Sequence, residues 1–247
     1  MPGILAGRTA LVTGGSRGIG AAIALRLARD GASVALTYAT SPRAADKVVA
    51  DITADGGRAL AIRADNAEPD EVRAAVEATV HTFGGLDILV NNAGGGQFTP
   101  IDEMSLDDFD RLFAVNVRGV FTAIREAAGH LPDGGRIITI GSVFADRHPF
   151  PGAGGYVAAK AAAAGLTRGA ARDLAPRGIT VNIVQPGAID TDANPADGDL
   201  SATMLAATPL HRYGTGAEIA GLVAYLASPE AGFVTGATLT ADGGFTV

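Results

Sequence analysis

Tyr156 and Lys160 stand four residues apart in the run Gly155-Tyr156-Val157-Ala158-Ala159-Lys160, at the front of a long alanine-rich stretch. If that stretch is helical, the two side chains share a face, and an ammonium can sit close to a phenol oxygen or to something both touch. A free phenol titrates near pH ~10; a cation a few Å away stabilises the phenolate and brings the group toward the range useful for proton transfer. Such spacing also occurs on ordinary helices. The pair carries weight only if the rest of the chain builds a site around it.

A second constellation is Gly14-Gly15-Ser16-Arg17-Gly18-Ile19-Gly20, preceded by the β-prone run Thr9-Ala10-Leu11-Val12-Thr13 and followed by apolar residues at helical spacing over 21–30. The pattern is strand, glycine turn, helix. Glycines 14, 18 and 20 let the backbone approach a pyrophosphate, whose charge meets the N-terminus of the following helix. A second strand at 33–38 completes the βαβ unit that such a turn requires. Sites selective for NAD place an acid near the end of that second strand, yet here the residues are Thr37-Tyr38-Ala39-Thr40-Ser41, with no carboxylate until Asp46. Arg17 and Arg43 supply cations and Thr40 and Ser41 supply hydroxyls for a 2′-phosphate, so NADP(H) is expected over NAD(H). Arg43 could equally be a solvated surface charge.

The elements that must position these groups follow from periodicity. Helical patterns at 46–55, 68–83, 106–129 and about 215–227 alternate with strand-like runs at 59–64, 86–90, 136–142, 178–184 and 237–240. This alternation predicts an α/β fold with a single doubly wound Rossmann domain over 1–247: seven parallel strands with helices on both faces. Ligands in such sheets lie beyond the carboxyl ends of the strands. Asp65 and Asn66 end the third strand, where Asp65 could accept an adenine amino group or cap the next helix. Asn91-Asn92-Ala93-Gly94-Gly95-Gly96 ends the fourth, with small residues that make room for a ligand. Asn116 sits among apolar neighbours in a helix, where its amide needs a partner; it is either a structural amide or the holder of a water near the site. Ser142 ends the fifth strand, one loop before Tyr156. Residues 190–212 are polar and interrupted by Pro195, Gly198 and Pro209, which fits a lid over a substrate.

Composition narrows the classes. The 247 residues are 47% hydrophobic and 18% charged, with a net charge of -7 and no basic cluster, which leaves a polyanion such as nucleic acid no footprint. Cysteine is absent, so disulfides and thiol chemistry are excluded. Residues 1–5 show no secretory pattern and no apolar run approaches a membrane span; a soluble, cytoplasmic protein with no membrane partner is expected. His81, His130, His148 and His211 lie apart without metal-ligand spacing, and no metal site is expected.

Taken together, the motifs resemble the short-chain dehydrogenases/reductases, with their Thr-Gly-x-x-x-Gly-x-Gly turn and Tyr-x-x-x-Lys helix. The resemblance covers essentially the whole chain, in family order: 13–20, Asp65, Asn91 to Gly94, Asn116, Ser142, Tyr156 with Lys160, Asn182, and Pro186-Gly187 leading to Thr191. It implies hydride transfer between a nicotinamide and a carbonyl or alcohol carbon. Tyr156 would be the proton donor and Ser142 would polarise the oxygen. Lys160 would lower the Tyr156 pKa and bind the ribose, and Asn116 would hold a relay water. Beyond the residues already named, Ser16, Ile19, Tyr38, Ala93, Ile189 and Thr191 are expected at the cofactor, with Thr191 on the carboxamide. The small-residue face Ala158, Ala161, Ala162, Gly165 and Gly169 permits close helix approach, and in related enzymes this helix pairs in dimers and tetramers, so a homotetramer is expected.

Gln97, Phe98, Phe144, His148 and Phe150 are expected around the substrate, and their aromatic character favours an apolar or aromatic ketone or aldehyde. His148 could instead be a solvated loop residue. Resemblance to the 3-oxoacyl-[acyl-carrier-protein] reductases offers an alternative, but the turn at 129–134 has no Lys or Arg with which to dock an acidic carrier, although Arg172 is retained and Arg125 and Arg168 could form a patch. The run at 184–195 also resembles a biofilm-dispersal regulator of this fold that binds cyclic-di-GMP, which implies a sensory role as the alternative of another class.

Overall fold

Two central strands, β1 (Thr9–Val12) and β4 (Ile88–Asn91), pair in parallel and mark the point from which the sheet grows in both directions. The computed structural model describes residues 3–96 and 98–247. Outward from β1 lie β2 (Ser33–Tyr38) and β3 (Ala59–Arg63); outward from β4 lie β5 (Arg136–Ile140), β6 (Thr180–Pro186) and β7 (Thr238–Ala241). The order is β3-β2-β1-β4-β5-β6-β7, with every pairing parallel. The strand order reverses at β1/β4, which opens a crevice beyond their carboxyl ends. This is the doubly wound seven-stranded sheet that the alternating periodicity predicts.

Each crossover carries a helix: α1 (Gly18–Arg29), α2 (Pro42–Ala54), α3 (Pro69–Phe83), α4 (Leu106–Phe113) continued by α5 (Gly119–Ala128), α6 (Gly154–Leu174) and α8 (Gly216–Ala227), with a short α7 (Ser201–Ala207) before α8. One apolar layer joins α1 and α8 to the sheet through Ile23, Leu27, Val90, Ile138 and Val223; the other joins α3, α5 and α6 through Val76, Leu89, Ile124 and Ile137. Burying strands on both faces explains why they read as near-continuous apolar runs. A third, smaller cluster under residues 200–213 contains Val143, Met204, Tyr213 and Phe245.

Two elements differ from their sequence expectation. The helix expected over 106–129 is interrupted by a π-helical segment, Ala114–Arg118, which carries Asn116 and widens the turn there. The 190–212 segment, expected to lack regular structure, contains α7, because Ser201-Ala202-Thr203-Met204-Leu205-Ala206-Ala207 is a local helix-forming run between glycine- and proline-rich flanks.

Candidate active site

Thr13, at the end of β1, ties the two central strands together. Its hydroxyl accepts the N–H groups of Asn92 and Ala93, each at 3.0 Å, while the Asn92 amide donates back to the carbonyls of Thr13 (3.0 Å) and Gly14 (2.9 Å). Gly14 (φ 62°) and Gly18 (φ 55°) take left-handed conformations that a side chain would strain, and a Cβ on Gly20 would lie 2.3 Å from the Gly14 carbonyl oxygen. The first turn of α1 has no acidic residue and no side-chain cap, so its free N–H groups point into the crevice as a ready anion site.

The crevice is a cleft of about 640 Å³ running along the carboxyl edge of the sheet. Among its lining residues are Gly14, Ser16, Arg17, Gly18, Ile19 and Gly20 from the turn, and Tyr38, Ala39, Thr40 and Ser41 beyond β2. Asp65, Asn66, Asn92, Ala93 and Gly94 follow, and then Ser142, Tyr156, Lys160, Pro186, Gly187 and Thr191. Residues far apart in sequence thus converge on one elongated groove with an uncapped helix end near its middle. Its donors and its backbone clearance fit an extended dinucleotide, with an exposed Arg17 and the Thr40 and Ser41 hydroxyls available to a phosphate at one end.

Several expected groups lie elsewhere. Thr37 borders the cleft but is buried, and its hydroxyl is taken up by the Gly14 N–H at 3.0 Å, so the positions more open to a 2′-substituent are Ala39, Thr40 and Ser41. Arg43 is exposed and stands outside the cleft wall. His148 is likewise an exposed loop residue off the wall, which corrects its expected place at the substrate. The Ile189 side chain turns into the apolar core and its backbone bridges to Gly214, so it offers no side-chain wall. Gln97 lies outside the described residues. Asp65 does not cap α3, whose N-cap is Glu68; its carboxylate accepts the Ala67 N–H at 2.9 Å and pairs with Arg111 at 2.7 Å. Burial opposes ionisation there, but those two donors hold the Asp65 carboxyl below the usual range.

At the other end, Ser142, Tyr156 and Lys160 come together as expected. Lys160 is buried at 7% exposure and donates to the Ile140 carbonyl at 3.1 Å, with its nitrogen 5.7 Å from the centre of the Tyr156 ring. Burial drives the Lys160 ammonium down to about 8. The expected lowering of the Tyr156 phenol is not what this arrangement does: burial pushes it up, and only the neighbouring Ser142 hydroxyl works in the opposite direction. Loss of water from the phenol sets the direction. Asn116, in the π-helical segment, donates to the carbonyls of Leu112 (3.0 Å) and Gly95 (3.1 Å), while its buried Oδ1 has no hydrogen-bond partner among the described residues. A Cβ on Gly94 would fall 2.7 Å from that oxygen and 3.2 Å from the Lys160 nitrogen, which places both groups around Gly94. A buried carbonyl oxygen without a protein partner is suited to hold a water.

Above the phenol, Phe98, Phe144, Phe150 and Tyr156 form an edge-to-face group with ring centres 5.4–6.2 Å apart. Leu200 and Met204 line the cleft from the α7 side. Sequence reasoning missed these two and Arg111; the apolar i, i+4 pair in an otherwise polar segment was the available signal for Leu200 and Met204. Among the described residues, no group of His, Asp and Glu is placed to hold a metal ion, and no helix is long and apolar enough to cross a membrane.

The family model described as enoyl-(acyl carrier protein) reductase matches residues 14–246. The cyclic-di-GMP-binding biofilm dispersal mediator protein of Escherichia coli (strain K12) is 49% identical, over 98% of this chain and 99% of its own. The 3-oxoacyl-[acyl-carrier-protein] reductase of Staphylococcus aureus (strain Mu50) is 45% identical, over 96% and 97%. Among solved structures, a short chain dehydrogenase from Burkholderia cenocepacia in complex with NADP superposes with a TM-score of 0.97 at 53% identity, covering 98% of this chain and 99% of that one.

Proposed function

The chain belongs to the short-chain dehydrogenase/reductase family of oxidoreductases, and from that premise we propose that it is an NADPH-dependent reductase of free, apolar or aromatic ketones or aldehydes. The observation that carries the reading is the aromatic group of Phe98, Phe144 and Phe150 packed edge-to-face above Tyr156, beside Ser142. An apolar wall next to a proton donor suits a carbonyl carried by an apolar body.

NADPH, when bound, supplies the hydride. Its phosphates would be held by the free N–H groups of α1, and its 2′-phosphate by Arg17, Thr40 and Ser41, with no carboxylate at the end of β2 to repel it. Asp65 and Asn66 would border the adenine, and Pro186, Gly187 and Thr191 the carboxamide. Ser142 donates a hydrogen bond to the substrate oxygen and Tyr156 delivers a proton to it as negative charge develops. The raised phenol pKa keeps that proton in place until it is needed. Lys160 orients the ribose, and Asn116 holds a water that returns a proton from solvent.

Reduction of an acyl-carrier thioester is a second reading, favoured by the 45% identical relative. Against it, the Arg125 guanidinium is engaged by Glu126, and the turn at 129–134 has no Lys or Arg. A sensory role draws support from the 49% identical relative named for cyclic-di-GMP binding; the complete set of Asn116, Ser142, Tyr156 and Lys160 weighs toward catalysis. The protein works in the cytoplasm as a single-domain homotetramer. The face of α6 formed by Ala158, Ala161, Gly165 and Gly169 supports assembly, being exposed with open space over both glycines. NADPH oxidation measured against ketones, aldehydes and acyl thioesters tests the reading: turnover is expected on aryl ketones, and tight NADPH binding without turnover on any carbonyl would overturn it.

A further inference from the structure

Residues 242–247, which follow β7, are folded back against both flaps of the substrate side. The Asp242 carboxylate accepts the N–H groups of Gly244 and Thr246, each at 2.9 Å, and the Thr246 hydroxyl at 2.7 Å, which closes the segment into a tight turn. On one side, this turn grips the segment after α7: the Leu210 N–H donates to the Gly243 carbonyl at 3.0 Å, and a Cβ on Gly243 would lie 2.8 Å from Thr208 Cγ2. On the other side, it grips the loop after β5. Arg147 donates to the Phe245 carbonyl and stacks 5.4 Å from the centre of its ring, and its own N–H is anchored to the Val143 carbonyl at 2.9 Å. Phe245 is 1% exposed and packs 6.1 Å from Phe144, whose ring borders Phe98, Phe150 and Tyr156. Met204, on the cleft-lining face of α7, belongs to the same cluster as Phe245.

We propose that residues 242–247 act as a clasp that joins the substrate loop to the lid and sets the width of the aromatic subsite, with Arg147 and Phe245 as positioning residues. The segment begins at Asp242, which packs against Gly187 at the cleft, but Arg147 and Phe245 are not among the residues lining it, so the effect of these two falls on how an aromatic body is held. The inference rests on the carbonyl-reductase reading for its kinetic consequence, though its geometry does not.

The test compares acetophenone with butanone as substrates. In Arg147→Gln, KM for acetophenone is expected to rise about tenfold, the scale of losing a cation–π contact and the aromatic packing it steadies. KM for butanone, kcat and NADPH affinity should change less than about twofold, and Arg147→Lys should recover part of the loss because a cation over the ring is kept. Equal losses on both ketones, or no loss on either, would overturn the clasp. Amide hydrogen exchange supplies an independent readout: residues 142–150 and 200–210 should exchange faster together in Arg147→Gln, and unchanged exchange in either segment also overturns it. If the unaltered protein reduces neither ketone, the functional reading fails while the exchange result still decides the clasp.

Discussion

Lys160 places its ammonium 5.7 Å from the centre of the Tyr156 ring and spends a hydrogen bond on the Ile140 carbonyl, so the two catalytic candidates are neighbours without forming an ion pair. Each is perturbed mainly by loss of water: the lysine is driven toward its neutral form and the phenol is held in its own. A proton donor that keeps its proton suits reduction.

Removing the phenol oxygen tests the donor. Tyr156→Phe is expected to leave NADPH affinity nearly unchanged, since the turn, Arg17 and Asp65 are untouched, and to lower kcat by at least ~10²-fold, as loss of a positioned acid does. Steady-state kinetics with a fluorescence titration of NADPH separate the two effects, and an unchanged kcat would take Tyr156 out of the mechanism.

The phenol itself can be watched. Without ligand, the Tyr156 contribution to phenolate absorbance, isolated as the difference between the unaltered protein and Tyr156→Phe, should appear above pH 10. A component titrating below the ordinary phenol value would mean that Lys160 outweighs burial.

Lys160 makes a thermodynamic statement of its own. Its folded value, about 8, lies below the ordinary 10.5, so between those values the unfolded chain binds more protons than the folded one, and stability rises with pH. The cost of the buried ammonium is fully present below about pH 8 and is relieved toward 10.5. Urea unfolding at several pH values should therefore show the unaltered protein gaining on Lys160→Met across this window; a constant difference would contradict the assignment.

Cofactor choice is expected to turn on Thr40. Thr40→Asp puts a carboxylate where a 2′-phosphate would lie and should raise the NADH-to-NADPH ratio of kcat/KM by about tenfold or more, given the repulsion that such an acid exerts. Thr37→Asp would instead bury a charge against the Gly14 turn, and should lower stability and binding of both cofactors. Parallel kinetics and thermal melts of the two variants distinguish reading from disruption.

Gly94→Ala probes the packing behind the phenol. The added methyl meets Asn116 Oδ1 at 2.7 Å and the Lys160 nitrogen at 3.2 Å, so one of them must move. The expected result is a loss of kcat of about tenfold or more with the fold retained, because small displacements of catalytic groups are costly. Full activity would mean that Asn116 and Lys160 need not hold their spacing.

Much of the site was legible because its signals are local. The glycine turn is recognised by the strand before it and the helix after it, and Tyr156 with Lys160 by one helical turn. The seven strands are read from apolar runs. Side-chain direction at element ends was harder to read. Thr37 borders the cleft, yet its hydroxyl is taken by the Gly14 N–H, a contact between distant segments. His148 and Phe144 lie on the same loop, yet only Phe144 turns inward, because Phe245, about a hundred residues later, gives its ring a surface to pack on.

The sequence by itself determined the order of elements, the glycine turn and the spacing of the candidate proton-transfer groups, because periodicity, turn chemistry and spacing within a helix are properties of neighbouring residues. Only the tertiary structure decided which of them share a cleft, that Arg111 meets Asp65, that Ile189 faces the core, and that the phenol is raised rather than lowered. Those outcomes depend on burial and on contacts between distant segments, and the amount of water removed from a group is not written in its neighbours along the chain.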